Sequence, residues 1–206
     1  MTLQEQIIDG TLSAVSTLKP AKVAINAGFY ALFAGAFYYL IGGAIDLFAI
    51  LACVVGGLLY SLFRDVFTHR RIKAALAGHL AYVKAKHPQL ELYVPMVEKL
   101  GRMILLKRAG LFFEDGELAL EAFHQPAFAK QPKDSITVPC GVDFKILEAT
   151  PEATVPLVVF RSELMKNNYR FHIVNDERVI SRITAFMVAP EAAPMKEATA
   201  IEERNE

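Results

Sequence analysis

The chain has 206 residues, 53% of them hydrophobic, with no Trp, and 22 Lys and Arg balance 22 Asp and Glu. A neutral chain without a basic folded domain gives no footing for a nucleic-acid partner. Two cysteines, Cys53 and Cys140, cannot form a disulfide framework.

The charge is unevenly spread. Between Arg64 and Arg108 ten Lys or Arg stand against three Asp or Glu, and acidic residues lead beyond Ala109. A basic neck therefore precedes an acidic distal region.

Residues 1–21 predict an amphipathic helix. Thr2 and Glu5 have capping-box spacing, Leu3, Ile7, Leu12, Val15 and Leu18 share one face, and Pro20 ends the pattern. Its apolar face can lie in a headgroup layer or against a folded domain. A basic region followed closely by an apolar core is missing here, so no signal peptide is expected.

Residues 22–63 predict a two-helix transmembrane hairpin, with spans at 23–41 and 47–63. Asp46 is the one charge in residues 23–63, just after Gly42-Gly43, where it can cap the second helix. Each apolar run approaches the roughly 20 residues that a bilayer crossing needs. Small residues form a stripe: Ala24, Gly28, Ala31, Gly35 and Gly42, then Ala49, Ala52, Cys53, Gly56 and Gly57. Helices in lipid associate by close packing, which small residues permit. The stripe either closes the hairpin on itself or also joins copies of the chain or another subunit. Phe29, Phe33, Phe37 and Leu40 form the bulky face.

Lys19 and Lys22 precede the spans, and Arg64, Arg70, Arg71 and Lys73 follow them. The positive-inside rule then predicts a multi-pass membrane protein with both termini cytoplasmic. Arg64, Arg70, Arg71 and Lys73 are the expected contacts to anionic lipid.

Residues 64–100 predict a basic stalk and a connector. Phe67, Ile72, Leu76, Leu80 and Val83 keep a helical period up to Pro88. The second span and the stalk should form nearly one helix. Residues 89–101 read as a connector with a short helix around 95–100. His69, His79 and His87 lie too far apart for a metal site on one turn.

Residues 101–188 predict a β-rich cytoplasmic domain. Strands are expected at 103–107, 110–114, 117–121, 135–138, 142–149, 155–163 and 169–174. Asp115-Gly116 marks a tight hairpin, residues 165–168 mark a second, and a helix is expected over 177–187. The acidic turn Glu114, Asp115, Glu117 lacks calcium-loop spacing. Residues 189–206 read as a disordered tail.

Antiparallel strands closed by one amphipathic helix, over residues 106–123, 136–147 and 158–183, resemble the pleckstrin-homology-like fold. Bacterial membrane proteins exist that join such a domain to a transmembrane hairpin, and the resemblance implies a place in the bacterial inner (cytoplasmic) membrane. The resemblance implies an α+β domain, a partial antiparallel barrel closed by a C-terminal helix, with a binding or scaffolding task. That family's basic phosphoinositide loop is replaced here by an acidic first turn.

No P-loop or dinucleotide fingerprint follows a strand. Glu121 and His124 have ExxH spacing at a strand end, and Cys140 is a candidate nucleophile with His124 or His172 as base or a semi-buried turn residue. The expected function is a non-catalytic membrane subunit that scaffolds, assembles or regulates a membrane protein complex. It would work without cofactor or metal, and its partners would be lipids and other membrane subunits or copies of itself. The alternatives are a membrane-tethered enzyme using Cys140 and a homo-oligomeric channel.

Overall fold

A computed structural model describes residues 1–16, 20–43, 47–101, 103–127, 129, 132–152, 155–164 and 167–187. Asp46, Met165, Lys166 and the tail at 189–206 lie outside the described residues. Three helices, α1 (Leu3–Val15), α2 (Pro20–Leu40) and α3 (Leu47–Lys86), precede a seven-stranded sheet. The strands are β1 (Leu90–Leu100), β2 (Met103–Glu114), β3 (Glu117–Phe123), β4 (Ser135–Pro139), β5 (Phe144–Pro151), β6 (Leu157–Leu164) and β7 (Asn167–Val174), and α4 (Glu177–Thr184) follows.

The capping box of α1 forms: the Thr2 hydroxyl accepts from the Glu5 N–H, and the Glu5 carboxylate accepts from the Thr2 N–H at 2.7 Å. Helix α3 runs unbroken for 40 residues, about 60 Å at 1.5 Å per residue. Its last turn reaches Lys86, two residues before Pro88, and Pro disfavours helical backbone in the residue before it.

All strand pairings are antiparallel, in the order β4-β3-β2-β1-β7-β6-β5. The sheet curls into a half-barrel around Leu92, Val94, Phe113, Phe144, Phe160 and Phe171, and α4 stops one end with Val179 and Ile183. Asp176 caps α4 by accepting the Arg178 N–H. At Asp115 and Gly116, φ is +50° and +76°, the left-handed pair that a tight hairpin requires.

Residues 89–101, expected as a connector with a helix near its end, instead form β1, the strand at the centre of the sheet. Leu92 through Val97 are all buried, because Leu92, Val94 and Met96 face the barrel interior while Tyr93 and Val97 face the packed helices. A strand covered on both sides lacks the alternation that would reveal it. Pro95 is tolerated because the register shifts between Pro95 and Val97, where a bulge interrupts the ladder. The two strands expected at 103–107 and 110–114 are one, β2, running through Gly110. A Cβ on Gly110 would stand 2.4 Å from the Tyr93 ring, so only glycine fits.

Of the two placements considered for the N-terminal helix, α1 lies against the sheet. Strands β1 and β7 share one registered pair, Val97 with His172, and α1 fills the seam beside it. The Gln4 amide takes the place of a neighbouring strand: it donates to the Tyr93 carbonyl and accepts the Tyr93 N–H, each at 2.8 Å. Ile7 enters the barrel core, and Leu12 and Val15 pack with Ile72 and Leu76 of α3.

Candidate functional site

The hairpin helices cross closely at Gly57. A Cβ there would lie 2.7 Å from the Ala27 carbonyl oxygen and 2.8 Å from the Ala31 nitrogen. The stripe read from spacing is thus only partly the contact within the hairpin. A Cβ on Gly28, Gly35, Gly42 or Gly56 would meet nothing within 4 Å, and Ala24 and Ala52 are exposed. Gly42 is a turn residue with φ +87°. Towards the turn the helices diverge around a groove of about 610 Å³, lined by Gly28, Ala31, Gly35, Ala49 and Cys53 among others.

Gly57→Leu is expected to cost roughly 1–3 kcal/mol through overpacking and to separate the helices. Gly56→Leu, one residue away and facing open space, should leave them in contact. A cysteine pair across the crossing, scored by disulfide yield, checks this: equal yields in both variants would contradict the crossing.

Below the crossing the helices are joined by polar groups. The Ser61 hydroxyl donates to the Val23 carbonyl at 3.2 Å. Arg64 bonds the Tyr30 hydroxyl and pairs with the fully buried Asp65 at 2.9 Å. Ser16 and His69 Nδ1 meet at 2.9 Å. Of the four basic residues expected to contact lipid, Arg70, Arg71 and Lys73 are exposed, while Arg64 is engaged within the fold. Asp65 escaped sequence reasoning because it reads as one acid in a basic run.

A second polar cluster joins the end of α3 to β3 and β4. The buried Glu121 carboxylate accepts from Lys86 Nζ at 2.7 Å, from Thr137 Oγ1 at 2.7 Å and from Ser135 Oγ. Burial pushes this carboxyl up, but the bonds from Lys86, Ser135 and Thr137 outweigh it and hold its pKa below the ordinary carboxylate value. His87 lies between two acids, with Nδ1 2.8 Å from Glu114 and Nε2 3.4 Å from Glu121. The ExxH spacing does not make a pair, because Glu121 points inward while the exposed His124 lies 3.9 Å from Asp134.

Cys140 is half-buried, and burial pushes its thiol pKa up, the opposite of an activated nucleophile. Among the described residues, no three His, Cys, Asp or Glu gather as metal ligands. Glu121 is saturated by donors, and its network acts as a staple between helix and sheet edge. No family model, curated protein or solved structure shows significant similarity to the chain.

Proposed function

We propose that this is a non-catalytic integral membrane protein whose hairpin holds a scaffolding domain at the cytoplasmic face of a bacterial inner membrane. One observation carries the reading. Along α2 and the first half of α3 large apolar side chains are bare, with Leu32, Phe33 and Leu47 at 76%, 67% and 83% exposure, while Ile72, Leu76 and Val83 of the same α3 are buried. Contiguous apolar surface on this scale needs a non-aqueous cover, and helices satisfy their own backbone groups within lipid.

The basic residues at one end of both helices support cytoplasmic termini. The meander of antiparallel strands closed by α4 supports the pleckstrin-homology-like reading. The uncovered faces of Gly28, Gly35 and Gly56 leave room for another helix, which supports assembly with copies or other subunits. The raised Cys140 pKa weighs against the tethered-enzyme alternative.

Topology tests the reading. In a Cys53→Ser, Cys140→Ser background, Ile41→Cys should react with an impermeant maleimide on intact cells. Lys196→Cys should react only after lysis. A chain recovered from the soluble fraction, or Lys196→Cys labelled from outside, would overturn it.

A further inference from the structure

The end of the half-barrel opposite α4 is open. There β1, β2, β3, β5, β6 and β7 enclose a cavity of about 330 Å³, at the small end of ligand pockets, which span roughly 300–1,000 Å³. Its walls include Met96, Leu120, Phe144 and Phe171. Ser162 also lines it: the side chain is 1% exposed, and its hydroxyl has no hydrogen-bond partner among the described residues. Buried hydroxyls are normally bonded, so this one is an unused polar contact on an apolar wall.

The charge of the lining has one sign. Lys107 and Arg108 contribute to it, and no carboxylate does. Lys107 is engaged by Glu98 at 2.7 Å and lies 5.7 Å from the Tyr169 ring centroid. Arg108 is exposed at the rim, with no carboxylate paired to it among the described residues.

We propose that this mouth binds a small amphipathic carboxylate. Its apolar or aromatic body packs against Leu120, Leu164 and Tyr169, and its carboxylate accepts the Ser162 hydroxyl in the field of Arg108. The three features required by such a ligand converge: apolar walls, one orienting donor and a cationic rim. The site belongs to the sheet domain, so it does not rest on the membrane reading.

The test uses the full chain in phosphatidylcholine nanodiscs, with empty nanodiscs as blank, and 2-naphthoate as probe in equilibrium dialysis. Saturable binding is expected. Ser162→Ala, which removes only an unpartnered hydroxyl and should fold, is expected to weaken it about tenfold, the loss of one hydrogen bond to a charged acceptor. Arg108→Gln should weaken it several-fold, more at low salt than at high. The neutral 2-naphthalenemethanol should bind at least about tenfold more weakly than the anion. Absence of saturable binding to the unmodified chain overturns the proposal. So does an affinity unchanged in Ser162→Ala, or equal binding of acid and alcohol.

Discussion

Lys86→Met is expected to destabilise the sheet domain by roughly 3–5 kcal/mol, the usual cost of removing one partner from a buried ion pair. The Glu121 side chain is fully buried, whereas that of Lys86 is 35% exposed. Removing Lys86 therefore leaves a carboxylate away from water with the Ser135 and Thr137 hydroxyls as its remaining strong donors. Lys86→Met with Glu121→Leu should recover much of the loss, since a well-packed apolar pair replaces such bridges at little cost.

The pH dependence follows from the direction of the Glu121 shift. Its pKa in the folded chain lies below the ordinary value of 4.5, so its contribution is full above that value. It is lost as pH falls through the folded pKa. In Lys86→Met the carboxyl should take up its proton at higher pH, moving the acid sensitivity upward. Thermal melts of the two variants across pH check this. A Lys86→Met protein within about 1 kcal/mol of the parent, the range of a surface pair, would show that the bridge is solvated.

Acidification from pH 6.5 to about 4 should separately remove about 3 kcal/mol, through His79. This residue of α3 is 1% exposed and stacks on Phe123 at 4.4 Å. Burial alone lowers its pKa from 6.5 to about 4, because an imidazolium there would lose its hydration. The unfolded chain therefore binds a proton between those values and the folded chain does not. Stability is full above pH 6.5 and declines until pH falls through about 4, at 1.36 kcal/mol per unit. His79→Leu keeps an apolar contact with Phe123 and should flatten the profile over that range. An unchanged slope in His79→Leu would assign the acid sensitivity to other groups. The Glu121 window lies below 4.5, so the two effects separate along the pH axis.

What the sequence determined by itself is local. The Thr2–Glu5 capping box, the Asp115-Gly116 turn and the helical period up to Pro88 each depend on residues within a few positions, whose backbone preferences leave little choice. The apolar character of α2 and the first half of α3 is equally legible, because it is a property of composition.

Tertiary structure decided the rest. Strand β1 was hidden because its apolar run is buried on two faces and contains Pro95. Spacing marked Gly28, Ala31, Gly35, Gly56 and Gly57 alike, but the crossing falls on Gly57 alone of these glycines, against Ala27 and Ala31. Where two helices touch depends on their relative rotation and tilt, which their own periodicity does not contain. The amphipathic α1 had two possible apolar partners, and the gap between β1 and β7 selected the sheet by offering unpaired backbone groups to Gln4. Glu121 meets Lys86 across 35 residues, and Ser162 shares its cavity with Arg108 across 54. Such pairings arise only when the sheet curls, since curvature brings together residues that no short-range preference connects.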